Sequence, residues 1–190
     1  MANLDRPRGL RPAKSLIGAA WNGLIRQYPA ADRSSDTTNN HGDIYVGDPI
    51  ALSSGKAVVA NSGDTIIGVC VGVGSATGLN FGDTPQSYFQ PDDLTQRYAD
   101  HAEATGVYIA VVPKESLLFE IQSATDLDLV LGQAADVTTA AGTAHGSRTT
   151  GQSTAELATS VNADVTVVEI VDTVDNDSTL ANARYLVSIA

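Results

Sequence analysis

The stretch GDPIALSSGKAVVANSGDTIIGVCVGV, residues 47–73, decides the fold class. Gly47-Asp48-Pro49 reads as a turn, because Pro pre-sets φ while Gly and Asp tolerate turn geometry. Ile50 to Leu52 then reads as a strand, Ser53-Ser54-Gly55 as a turn, Lys56 to Ala60 as a strand and Asn61 to Asp64 as another turn. Thr65 to Val73 is β-branched and nearly all apolar, the pattern of a strand covered on both faces. Its glycines suit bends or close backbone approach. Working outward, Ile44–Val46, Val107–Pro113, Leu117–Gln122, Val165–Val171 and Arg184–Ile189 read as further strands, with Asp126–Leu131 as one more. Short strands separated by turns predict an all-β fold, a compact β-barrel or sandwich. Residues 75–105 read as a long excursion with a short helix near Asp92 to Ala99. Gly132 to Asn162, dominated by Ala, Thr, Gly and Ser, reads as a weakly packed surface excursion.

Composition narrows the class. A chain of 190 residues that is 43% hydrophobic buries a sizeable core without metal or disulfide support. The single cysteine, Cys70, excludes a disulfide framework and a multi-Cys zinc site. A net charge of -11 argues against general nucleic-acid binding. The longest apolar run, Thr65 to Gly74, falls short of the roughly eighteen residues a membrane helix needs. The first twenty residues are basic but contain no secretory apolar core, so no leader is expected.

Charge divides the chain. Residues 1–33 hold six cations and two acids, a net of +4, whereas the other 157 hold five cations and twenty acids, a net of -15. Leu16, Ile17, Ala20, Trp21, Leu24 and Ile25 recur in pairs every four residues, which predicts an apolar stripe on a short helix from about Lys14 to Gln27. The run from Asp32 to Asp43 has no aliphatic, Phe, Tyr or Trp side chain and reads as a tether. The expected organisation is a basic N-terminal arm over 1–33, helical or extended, a polar linker over 34–43 and a β-rich body over 44–190. Extended, 33 residues span on the order of 100 Å, enough to reach a neighbouring subunit.

No catalytic constellation emerges, and the chain reads as a non-enzyme without cofactor or metal. His41, His101 and His145 lie in polar surroundings and read as exposed loop residues. Cys70, within the most apolar strand, reads as a buried small hydrophobe. The nucleophile elbow is absent, and the glycines at 72, 74 and 78 lack dinucleotide spacing. Ser147 and Ser153 have no partner in a recognisable pattern. Asp172, Asp175 and Asp177 do not follow EF-hand spacing and read as turn residues.

Three stretches carry a resemblance. They are the opening MANLDRPRGLRPAKSLIGAAWNGLIRQY, the block at 47–73, and the distal run FEIQ … LGQAADVTT … GQSTAEL … VVEIVDTVDNDSTLANARYLVSI. Together they resemble the decoration, or capsid cement, proteins of tailed-bacteriophage heads; residues 75–105 depart from the pattern. The resemblance implies a structural protein, made in the host cytoplasm and carried on the outer capsid surface of the virion. Its implied partners are the major capsid protein and further copies of itself in a homotrimer, with neither nucleic acid nor membrane. Arg6, Arg8, Arg11 and Lys14 would then meet acidic shell surface, and Leu16, Ile17, Trp21 and Leu24 would anchor the arm. Deleting residues 1–30 is expected to leave a folded body. Competing readings are a tail, neck or fibre-base component and a carbohydrate-binding β-sandwich with Tyr88, Phe89 and Tyr98 as stacking platform.

Overall fold

Turn chemistry sets the first hairpin. Ser53 pairs with Lys56, leaving Ser54 and Gly55 as a two-residue loop with φ of 50° and 80°. Positive φ at both central positions makes the turn whose twist matches paired strands. The computed structural model describes residues 3–15, 24–32, 42–75, 98–102, 106–115, 117–139 and 146–190, which contain thirteen strands and no helix. The all-β reading holds.

Two sheets account for most of the strands. One has the order β2 (Arg26–Pro29), β6 (Val107–Pro113), β5 (Gly68–Ser75), β3 (Pro49–Ser53) and β4 (Lys56–Val59), antiparallel throughout. Beyond β2 the chain continues to Ala30, which bridges Ala57 of β4, and the Ala31 amide donates to the Ala57 carbonyl at 2.9 Å. The sheet therefore closes on itself into a small barrel, with alanines where the two edges meet. The other sheet has the order β1 (Arg11–Ser15), β7 (Leu117–Gln122), β13 (Arg184–Ile189), β12 (Val165–Ile170), β8 (Ala134–Thr138) and β11 (Glu156–Thr159). It curls too, because Ser123 at the end of β7 bridges Leu157 of β11. A two-residue-per-strand hairpin, β9 (Gly146–Ser147) and β10 (Gln152–Ser153), stands apart.

Strand alternation sorts side chains between two cores. Ile50, Ala57, Val59, Cys70, Ile109 and Val111 form the core of the closed sheet with Ala30. Their neighbours Ala51, Val58, Val69 and Val112 face the opposite way, joining Phe119, Ile121, Val137, Leu157, Val167, Tyr185 and Val187 in a larger core between the sheets. Both faces are buried, which is why residues 65–73 read as continuously apolar. Cys70 is fully buried, and desolvation pushes its thiol pKa up.

Several expectations are corrected. Residues 3–15 and 24–32 are not a separate arm, since β1 pairs with β7 and β2 with β6. Leu10, Ala30 and Ala31 are 1%, 3% and 4% exposed, inside the two cores. The division into arm, linker and body thus fails at Leu10 and Ala30, where apolar side chains find the body's own interior. The extended alternative holds at the ends of the expected helix, where Lys14, Ser15, Arg26 and Gln27 lie in strands. Residues 16–23 lie outside the described residues, as do 33–41 of the linker. Its last residue, Asp43, is 1% exposed. The described parts of the Gly132 to Asn162 stretch, residues 132–139 and 146–162, are no loose excursion, for β8 and β11 bury Ala135, Val137 and Leu157 at 0–1% exposure. Residues 126–131 form a loop rather than a strand. Of the short helix near 92–99, residues 92–97 lie outside the described residues, and Ala99 makes a bridge with Ile44. His101 is buried at 7% exposure, its backbone amide donating to Asp43 Oδ1 at 3.1 Å.

Candidate functional site

The docked N-terminal segment builds the most distinctive charged feature of the surface. Alternate residues of the segment, Leu4, Arg6 and Arg8, line one cleft. The segment is pinned at both ends. The Asn3 amide donates to the Asp177 and Ala181 carbonyls at 2.8 and 2.9 Å, and its oxygen accepts the Asp177 N–H at 2.8 Å. The Arg6 amide donates to Gln122 Oε1 at 3.1 Å and the Leu10 amide to the Gly47 carbonyl at 2.8 Å. Gly9 adopts φ +66°, and a Cβ there would sit 2.3 Å from the Gly47 carbonyl oxygen. Only glycine fits this crossing, which turns Arg11 toward the same region as Arg6 and Arg8.

Arg6, Arg8, Arg11 and Arg184 surround a cleft of about 160 Å³ whose floor includes Glu120 and Gln122 of β7. Arg184 reaches it because it pairs directly with Gln122 across β13 and β7. Its guanidinium is committed, with Asp175 at 2.8 Å, the Thr173 hydroxyl at 2.7 Å and Glu120 at 3.9 Å. Thr173 and Arg184 hold the Asp175 carboxyl below the ordinary carboxylate range. Among the described residues no carboxylate lies within ion-pair distance of the Arg6, Arg8 or Arg11 guanidinium, and all three residues are exposed. Three cations without an ion-paired acid among the described residues, carried side by side by a hydrogen-bonded backbone on a chain of net charge -11, form a local positive field.

Beneath the segment lies an acid pair. Gln122 Nε2 donates toward Glu156 Oε1 at 3.1 Å, Asn182 Oδ1 at 3.1 Å and Asp5 Oδ1 at 3.3 Å. Burial first, then the charge of Asp5, raise the Glu156 pKa. A second polar cluster holds the β9–β10 hairpin. The Arg148 guanidinium grips the buried Asp43 carboxylate through Nε and a terminal nitrogen at 2.9 and 2.7 Å, and it lies 5.2 Å over the Tyr98 ring, which stacks on Tyr45. Burial and the Asp43 charge push the Tyr45 pKa up to about 12, so its hydroxyl stays a donor to Asp43, 3.1 Å away.

The sequence-expected residues divide. Arg6, Arg8 and Arg11 come together at the cleft. Lys14 is spent within the molecule, its Nζ 2.8 Å from Glu169. Leu24, 45% exposed, precedes β2 of the other sheet. Leu16, Ile17 and Trp21 lie outside the described residues, and so do Tyr88 and Phe89. Glu120, Gln122 and Arg184 are brought here by strand register, and Asp175 and Asn182 by the loop between β12 and β13. Ser147 and Ser153 accept turn hydrogen bonds from Thr150 and Ala155. Among the described residues no group of three or more His, Cys, Asp or Glu side chains forms a metal cluster, and no helix is long and apolar enough to cross a membrane.

No protein-family model matches the chain, and neither curated proteins nor solved structures include a match to it.

Proposed function

We propose that this protein is a structural component of a tailed-phage particle, coating the outside of the capsid shell and attaching through the cationic N-terminal segment. The fixed row of Arg6, Arg8 and Arg11 carries this reading. The segment's backbone is hydrogen-bonded to the two-core β body, and these guanidiniums have no ion-paired acid among the described residues. The likeness of residues 1–28, 47–73 and the distal run to cement proteins supports the same role.

The mode of attachment differs from a swinging arm. Arg6, Arg8 and Arg11 ride on a segment whose backbone is already ordered, so binding an acidic surface requires little further ordering. Exposed ion pairs contribute about 0.2–1 kcal/mol each, so one protomer binds weakly. Several protomers joined in a trimer would add avidity, and a ligand that binds only the assembled shell stabilises it by mass action. The major capsid protein is the partner this reading implies.

The test is co-sedimentation with shells assembled without this protein. The wild type should saturate them, and a variant carrying Arg6→Gln, Arg8→Gln and Arg11→Gln should lose about 3- to 160-fold in affinity, the summed effect of three exposed pairs. Saturation by the triple variant at the wild-type concentration, or no binding by the wild type, would overturn the proposal.

A further inference from the structure

We infer that the arginine cleft is a socket for a side-chain carboxylate carried by an extended acidic segment of a partner protein. The identity of the partner rests on the shell-coating reading; the chemistry of the socket does not.

Size comes first. Pockets that enclose a free small molecule usually run to roughly 300–1,000 Å³, and this cleft has about 160 Å³. A single Asp or Glu side chain suits that space, with the rest of its chain remaining outside. Charge comes next. Arg8 and Arg11 present unengaged forks, the geometry that accepts a carboxylate through two parallel hydrogen bonds. Arg184 forms a preset wall because Asp175 and Glu120 hold it in place. Those two acids also discriminate. They tolerate a monoanion held by the remaining arginines, but they disfavour a dianionic phosphate. At the rim Leu4 is 58% exposed although it stands on the docked segment. An apolar residue beside the inserted acid would cover it. The recognised pattern is therefore an acidic residue with an apolar residue two positions away, on the same face of an extended strand.

The probe is a synthetic peptide, acetyl-Glu-Ser-Leu-Ser-Glu-amide, whose acidic and apolar residues share one face when extended, titrated into the full chain by calorimetry at low and moderate salt. Inorganic phosphate and a Ser-Ser-Leu-Ser-Ser peptide serve as comparisons. The acidic peptide should bind with salt-sensitive affinity, the serine peptide should not, and phosphate should compete poorly. Arg8→Gln combined with Arg11→Gln should weaken binding at least tenfold, whereas Arg26→Gln, which removes one exposed cation from the other sheet, should change it less than twofold. Far-UV circular dichroism checks that each variant is folded. Equal weakening in the cleft and Arg26 variants would make the attraction non-specific and overturn the inference. Tighter binding of phosphate than of the peptide would reassign the cleft to phosphate and also overturn it. If the peptide binds through the cleft but shells are not bound, the shell reading fails while the socket stands. If shells bind and the cleft variants bind them equally well, the socket fails while that reading stands.

Discussion

Leu10→Ala tests whether the N-terminal segment is part of the body. Leu10 is 1% exposed and belongs to the core that contains Phe119, Leu157 and Tyr185. Truncation removes three carbons, each contributing about 0.8 kcal/mol when buried. The neighbouring strands are hydrogen-bonded on both sides and collapse only partly, so a cavity adds to the loss. The expected destabilisation is about 3 kcal/mol, within the usual 2–5 kcal/mol for buried Leu→Ala changes. For a chain of this length that lowers Tm by roughly 6–12 °C. Urea unfolding followed by far-UV circular dichroism measures it, with Leu4→Ala as control. Leu4 is 58% exposed, and its loss should stay within about 0.5 kcal/mol. The same packing predicts that deleting residues 1–30, which removes β1, β2 and Leu10, destabilises the body instead of leaving it intact. A Leu10→Ala effect below about 0.5 kcal/mol would refute the reasoning and restore a detachable arm.

Other predictions concern buried acids and the lone thiol. The Asp136 carboxylate is 4% exposed; burial alone would raise its pKa, but N–H donors from Val161, Asn162 and Ala163 and the Ser62 hydroxyl outweigh this and hold it below the ordinary range. A depressed carboxylate contributes stability above its unfolded pKa that is lost as pH falls through the folded value. Asp136→Asn should therefore cost about 1–3 kcal/mol at pH 7, and the gap from wild type should narrow on acidification below about pH 4 in pH-dependent thermal melts. Glu156 has the opposite sign. Its raised pKa means that charging it at neutral pH opposes folding, so Glu156→Gln should raise Tm at pH 7 and converge on wild type in acid. Gly9→Ala should unseat the arginine segment, read as loss of peptide binding together with lowered Tm, because its Cβ has no room beside Gly47. Cys70, fully buried, should react with a thiol reagent only as fast as the protein unfolds.

Much of the body was legible because its strands carry their own local code. Turn residues cut residues 47–73 at the right places, and β3, β4, β5, β6, β7, β12 and β13 fall on runs recognised as strands. β8 and β11 escaped notice because alanine and threonine dominate them. Their burial depends on what sits opposite, Val165 against Ala135 and Leu157 against Val137, and not on their alanine and threonine content. At the N-terminal stretch only the ends of the expected helix fall among the described residues, 16–23 lying outside them. There Lys14–Ser15 and Arg26–Gln27 gain backbone partners on β7 and β6, and strand formation follows that tertiary context.

Composition and alternation alone established an acidic all-β chain with a buried thiol and a cationic start, since each of those is a property of neighbouring residues. Whether that start swings free or lies against the body depends on one pocket for Leu10 and one crossing at Gly9 and Gly47. The cleft depends on the register that sets Arg184 beside Gln122, residues 62 positions apart. Contacts over such separations come from packing the whole chain, and only the tertiary structure could decide them.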